Sequence, residues 1–208
     1  MLKYLCLSLL LSLLLVGARG QSKSKLFFRE DWKETEAALP VTQDHVANRD
    51  LELALYGPAK DAIKKSNHPH IPNDPYYIWS GECKQNWAVG LRPKNGIVDL
   101  SAADAKIRIR SKQSGFRQLR IILKLGDGTW LVSDRSAETT DDWTEKEFPI
   151  PGIRWRKLDI ETIVEGAWVQ KPDLSRVAEV GFTDLMIGGG TPASSRLDWI
   201  EVWGRNPK

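Results

Sequence analysis

The chain has few of the groups that announce a chemistry on sight. Its 208 residues include two cysteines and three histidines, with no Cys/His cluster of zinc spacing. No G-x-S-x-G, H-E-x-x-H, P-loop or dinucleotide fingerprint occurs, so no enzyme class that shows itself by a short local motif finds support. Neither sign of charge dominates: 30 Lys and Arg face 27 Asp and Glu. Internal repeats, low-complexity tracts and linker-like stretches are also missing, which points to one domain. The one long apolar run lies at the N-terminus, from Leu5 to Val16.

That run follows Lys3 and ends in Ala18-Arg19-Gly20 before Gln21, the layout of a secretory signal peptide over residues 1–20. It is shorter than a spanning helix needs, and polar sequence follows it; the alternative is an uncleaved anchor. Cys6 sits inside the run without the small-residue context of a lipid attachment site. The expected mature domain is 21–208, secreted or periplasmic, with no membrane span. Loss of Lys3 and Arg19 leaves 28 basic residues against 27 acidic ones. Near-neutral charge and export together disfavour nucleic acid as a partner, and any electrostatic role must come from local clustering. Cys83 is then the sole cysteine, so stability must come from the core or from a bound ion rather than a disulfide. Cys83 itself is expected to be buried and inert.

What the sequence does contain is β pattern. Leu26–Trp32 reads as an edge strand, and residues 35–50 leave room for a short helical turn. Leu51–Tyr56 alternates before the Gly57-Pro58 turn, and 57–75 is expected to be a long surface loop. Short strands follow at Tyr76–Ser80 and Trp87–Arg92. Ala105, Ile107 and Ile109 alternate with Lys106, Arg108, Arg110 and Lys112, the period of a half-exposed strand. Leu119, Ile121, Leu123 and Leu125 repeat it, and Gly126-Asp127-Gly128 turns the chain into Thr129–Ser133. Further strands are expected at Trp143–Ile150, Val177–Phe182 and Leu197–Trp203, with Glu161–Gly166 a turn or short helical connection. Gly188-Gly189-Gly190 reads as a loop joining the last two strands. In the final strand Leu197 and Trp199 fill the interior while Asp198 and Glu201 point away. Many short strands without a long amphipathic helix make an all-β sandwich of two antiparallel sheets.

The candidate chemistry is dispersed. If the strands around 105–112 and 119–125 pair, Arg108, Arg110, Arg120 and Lys124 share one cationic face. Such a face either meets carboxylates, with Glu145 and Glu147 at hand, or serves an acidic polysaccharide through charge-assisted hydrogen bonds. Nine tryptophans is a high count. Trp packs on the C–H faces of sugars but also fills cores. Trp79, Trp130 and Trp155 lie close to loops and are candidate stacking platforms, while Trp87 reads as interior. His68-Pro69-His70 with Asp74 could hold a transition metal, or be solvated. A hydrolase would need a carboxylate pair drawn from residues such as Glu82, Asp134, Glu138, Asp184 or Glu201. A lyase would need a base such as His68, Tyr76 or Tyr77 and a neutralising cation.

Val98-Asp99-Leu100-Ser101, the Gly126-Asp127-Gly128 hairpin, Asp173-Leu174-Ser175 and the closing Leu197-Asp198-Trp199-Ile200-Glu201-Val202 together resemble galactose-binding-like jelly-roll modules. The likeness covers roughly the last half of the chain; residues 26–96 fit it less well. It implies a jelly-roll β-sandwich and non-catalytic recognition of carbohydrate. It also implies a structural calcium ion, for which Asp198 with Glu30 and Asp31 would supply carboxylates. Trp79 or Trp130 would then be the platform, with Arg108, Arg110, Arg120 and Lys124 as polar or anionic contacts. Two other classes remain open: a small secreted polysaccharide-degrading enzyme on the same fold, and a cell-envelope domain that binds another protein.

Overall fold

A computed structural model describes residues 23–207, apart from 67, 69, 73, 83 and 187–191. The expected signal segment, Cys83 and the Gly188–Gly190 loop lie outside the described residues.

Among the described residues the alternating pattern becomes thirteen strands: β1 (Lys25–Glu30), β2 (Leu51–Tyr56), β3 (Lys64–Lys65), β4 (Ile78–Trp79), β5 (Trp87–Pro93), β6 (Lys106–Gln113), β7 (Leu119–Leu125), β8 (Trp130–Ala137), β9 (Thr144–Pro149), β10 (Trp155–Asp159), β11 (Val164–Val169), β12 (Val177–Asp184) and β13 (Ser195–Gly204). One sheet runs β3-β4-β13-β6-β9, with β1 also paired to β13; the other runs β11-β10-β8-β7-β12-β5-β2. All of these strand pairings are antiparallel. The two sheets stack as a jelly-roll sandwich, with Ile107, Ile109, Leu197 and Ile200 of the first facing Leu91, Ile121, Leu123 and Phe182 of the second in one core. The short turn expected within 35–50 is a 3-10 turn at Gln43–His45.

Three sequence expectations change. First, β6 and β7 do not pair. β6 lies between β13 and β9, and β7 between β12 and β8, so the chain crosses from one sheet to the other between them. Both strands carry the same alternation because each has one core face and one outer face, and periodicity does not reveal which sheet a strand joins. Secondly, 164–166 belongs to strand β11 rather than to a connection; β11 is an exposed edge strand with no clean alternation to betray it. Thirdly, β13 carries a bulge between Leu197 and Trp199, where Asp198 adds a residue opposite β6. Beyond it the parity reverses, so Ile200 and Val202 enter the core while Trp199 joins the outer face.

The outer face of the seven-stranded sheet is covered by the chain itself. The β10–β11 turn folds back over it, and Asn86 Nδ2 donates to the Ile163 carbonyl at 2.9 Å. Ile163 and Leu158 then pack with Ala88, Ile122, Trp130 and Val132 in a second apolar cluster. Gly90 forms the floor beside it. A Cβ there would lie 2.8 Å from Glu179 Oε2 and 3.1 Å from the Tyr56 ring, so a larger residue would have to displace these two side chains.

The 57–75 segment is also less of a loop than its composition suggests. It contains a 3-10 turn, the short β3, the fully buried Ile63 and a Lys65 that is 1% exposed. Lys65 Nζ donates to the Ser66 carbonyl at 2.8 Å, and desolvation lowers its ammonium to about 8. An unfolded lysine titrates near ~10.4, so between about pH 8 and that value the unfolded chain binds a proton the folded chain has lost, and stability rises with pH. Lys65→Met removes this contribution. Urea melts are expected to show the native chain gaining stability relative to the variant from about pH 8 to 10.4; a constant difference would show that burial does not strain this group.

Candidate functional site

The six-stranded sheet leaves its outer face open, and β6, β9, β13, β1 and β4 set its residues in register. Lys106, Arg108, Arg110 and Lys112 alternate along β6 with buried partners. Trp203 of β13 is opposite Lys106, Glu201 opposite Arg108, and Trp199 opposite Arg110. On the other flank Glu147 faces Arg108 and Glu145 faces Arg110. β4 brings Trp79 beside Arg196.

Each cation of this face lies against a ring, a carboxylate or both. Arg108 donates to Glu201 at 3.0 Å and to Glu145 at 2.7 Å, and its guanidinium stands 5.6 Å from the Trp199 ring. Arg29 covers the same ring at 4.4 Å while pairing with Glu201 and Asp31, both at 2.6 Å. Arg110 pairs with Asp198 and lies 5.6 Å over Trp143, which packs on Tyr77 at 5.1 Å. Lys106 pairs with Glu147 at 2.8 Å and lies 5.6 Å over Trp203. Lys64 and Arg196 stand 5.1 and 5.8 Å from Trp79. Trp79, Trp143 and Trp203 are half-buried, whereas Trp199 is 7% exposed beneath its two guanidiniums. The result is a lattice of indole faces and bidentate polar groups, close to neutral in charge.

Two carboxylates of β13 differ in their electrostatics. Burial pushes Asp198 above its usual range in spite of Arg110. Burial acts on Glu201 in the same sense, but hydrogen bonds from Trp203 and Arg29 and the charge of Arg108 outweigh it and hold Glu201 below that range. Glu201 therefore stays ionised as the joint between β1, β6 and β13.

The expected site residues divide between two faces. Trp79, Arg108 and Arg110 are together here. Arg120, Lys124 and Trp130 lie on the opposite sheet because β7 pairs with β8 and β12. Arg120 donates to the Ser133 carbonyl and Glu165 at 2.6 and 2.8 Å. Lys124 reaches the buried Glu179 at 3.2 Å, which Arg92 and the Tyr56 hydroxyl also contact at 2.8 and 2.7 Å. Trp130 is 7% exposed and Trp155 2%, so neither ring is an open platform. Both adjoin turns in sequence, yet each heads a strand whose first residue is already packed. Conversely, Arg29, Trp143 and Trp203 belong to the open face and were not singled out. Their signal is cross-strand register, which one strand's sequence does not contain.

The carboxylates expected to hold calcium have other partners in the structure. Glu30 is fully buried, and its carboxylate accepts backbone N–H groups of Trp32, Ala47 and Asn48 at 2.8, 2.7 and 2.9 Å. Asp31 is held by Arg29 and Asp198 by Arg110. Among the described residues no three acidic, His or Cys side chains gather as a metal site. His68 Nδ1 lies 2.6 Å from Asp74 and 3.1 Å from the Tyr77 hydroxyl, which makes it part of a polar knot tying its segment to the sheet. Of the candidate catalytic carboxylates, Asp134, Asp184 and Glu201 are each engaged by a different arginine: Arg154, Arg117, and Arg29 with Arg108.

No known family's sequence pattern matches the chain, and no curated protein does. Similar solved structures include carbohydrate-binding modules and a glycoside hydrolase domain. A family 29 module complexed with cellulohexaose is 7% identical, covering 88% of this chain and 93% of that one with a TM-score of 0.47. A family 29 variant complexed with mannohexaose is 8% identical, with the same coverage and TM-score. The family 11 module of a Clostridium thermocellum cellulosomal cellulase is 12% identical, covering 89% and 97% with a TM-score of 0.45. The likeness is one of β-sandwich architecture.

Glu201→Gln removes the charge shared by Arg29 and Arg108, at an expected cost of about 1–3 kcal/mol in denaturant melts at pH 7. Because its folded pKa is depressed, that contribution is present above the unfolded value near ~4.3 and disappears as pH falls below it. A variant equally destabilised at pH 3 and pH 7 would contradict the ion-pair account. A chelator is expected to leave the melting temperature unchanged; a fall would restore a structural cation.

Proposed function

We propose that the protein is an exported glycan-binding domain without a catalytic step, and that the open face of the six-stranded sheet is its binding surface. The observation that carries this is the pair of half-buried rings Trp203 and Trp79 spaced along β13 and β4, with Trp143 beside them and the guanidinium-covered Trp199 between, interleaved with ion-paired arginines and carboxylates. Between the register positions of Trp203 and Trp79 the strand rises roughly 20 Å, long enough for several pyranose rings. Indole faces meet the C–H faces of sugars, and the flanking guanidinium and carboxylate groups take their hydroxyls as acceptors and donors.

The near-neutral face favours an uncharged polysaccharide over an acidic one. Arg108 and Arg110 already hold carboxylates, and an anionic ligand would have to displace them. The separate attachment of the acidic candidates to arginines favours a binding role over hydrolysis. The neighbours in fold include modules solved with hexaoses, but the reading for this chain rests on its own face.

The purified protein is expected to bind neutral β-linked polysaccharide in affinity electrophoresis, with retention little changed by salt and without release of reducing ends or unsaturated products. Trp203→Ala and Trp143→Ala are each expected to weaken retention about tenfold. Unchanged retention by both would remove this face from the site. New products would make the protein an enzyme, and recovery of one envelope protein without any glycan would favour a protein partner.

A further inference from the structure

Arg29, Lys106, Arg108 and Arg110 of the open face are held by carboxylates, so an anionic ligand finds freer cations elsewhere. A cleft of about 490 Å³ opens between the Gly126–Asp127 tip of the β7–β8 hairpin, Lys157 of β10 and the segment from Val169 to Arg176 that leads into β12. A hollow of about 210 Å³ shares its Val169 and Pro172 walls and includes Trp168, 41% exposed with the Arg156 guanidinium 4.2 Å from its ring. The larger volume lies within the range of small-molecule sites.

Lys157, Lys171 and Arg176 line the cleft, and all three are exposed. Among the described residues none of them joins a salt bridge, in contrast to Arg29, Lys106, Arg108 and Arg110 on the open face and Arg120 and Lys124 on the other sheet. Arg176 is seated rather than loose. The Gly126 N–H donates to its carbonyl at 2.7 Å, and a Cβ on Gly126 would come within 3.3 Å of the Arg176 Cβ.

Two acids share the lining. Asp127 accepts the Thr129 N–H at 2.8 Å, and Asp173 accepts the Ser175 N–H at 3.0 Å and its hydroxyl at 2.6 Å. These hydrogen bonds hold both carboxyls below their usual range, so both remain charged. The cleft thus offers three cations for an anionic oxygen pair and two anionic acceptors for hydroxyl donors. A densely charged polyanion is repelled by the two aspartates. A neutral sugar leaves the cations unused. A sugar carrying one carboxylate among several hydroxyls matches both sets, with its apolar face toward Val169 and Pro172. Arginine grips a carboxylate through two parallel hydrogen bonds, and lysine adds charge without demanding one geometry.

We propose that this cleft binds a uronate sugar, as a second site beyond the open face, with Lys157, Lys171 and Arg176 receiving its carboxylate. Calorimetric titration of the purified protein with trigalacturonate at low salt tests it, with galactotriose as the neutral arm and lactose 3′-sulfate, a sulfated disaccharide without a carboxylate, as the sulfated arm. Trigalacturonate is expected to bind, to weaken as salt is raised, and to bind at least tenfold less tightly to the Lys171→Glu/Arg176→Glu variant. Lys157→Gln serves as a second, milder variant should the first fail to fold. Absence of trigalacturonate binding, equal affinity in the folded variants, equal affinity for galactotriose, or tighter binding of the sulfated disaccharide would each overturn the assignment. Trp203→Ala is expected to leave trigalacturonate affinity unchanged, so loss of neutral-glycan retention in that variant tests the open face separately from the cleft.

Discussion

The arrangement depends on β13, which pairs with three strands of its sheet: β6 along one edge, β1 and β4 along the other. Its inward residues Leu197, Ile200 and Val202 are fully buried and close the core. Its outward residues Asp198, Trp199, Glu201 and Trp203 organise the open face. A bulge at Asp198 makes both assignments possible, because two residues oppose one on β6 and the inward–outward alternation restarts out of phase. Without that extra residue, one of the two sets would point the wrong way. The face and the core are consequences of one irregularity in one strand.

The two outer surfaces of the sandwich solve the same problem differently. On the seven-stranded sheet, the β10–β11 turn folds back, and Trp130 is buried with Ile122, Val132 and Ile163 above a glycine floor. Its deeply buried Glu179 carboxylate is satisfied by Arg92, Lys124 and Tyr56 together. On the six-stranded sheet nothing comparable among the described residues covers the rings. They are instead shielded in part by guanidinium and ammonium groups that carboxylates from neighbouring strands hold in place. Such cation–ring contacts cover Trp199 almost completely, while Trp79, Trp143 and Trp203 stay half-buried.

Electrostatic pairing also separates two kinds of surface on a chain with little net charge. Where strands run side by side, register sets acid against base across the ladder, as with Glu145 and Glu147 beside β6. Where loops meet at the end of the sandwich, no ladder enforces pairing. Lys157, Lys171 and Arg176 remain available there, while Asp127 and Asp173 are committed to their own turns.

Local alternation was enough to read the β-sandwich class, most strand positions and the Gly126–Gly128 hairpin, because side chains on a half-buried strand must alternate whatever their partner. The polar face of β6 was legible for the same reason. Which strand lies beside which was not. β6 and β7 carry the same pattern and are adjacent in sequence, yet they belong to opposite sheets, and this separates Arg108 and Arg110 from Arg120 and Lys124. The exposed β11 has no alternation to read, and the burial of Trp130 and Trp155 depends on elements distant in sequence. The sequence by itself determined the β-strand periodicity and the supply of rings and charges. Only the tertiary structure decided which of them share a surface, since cross-strand register and the phase shift at Asp198 arise from non-local pairing.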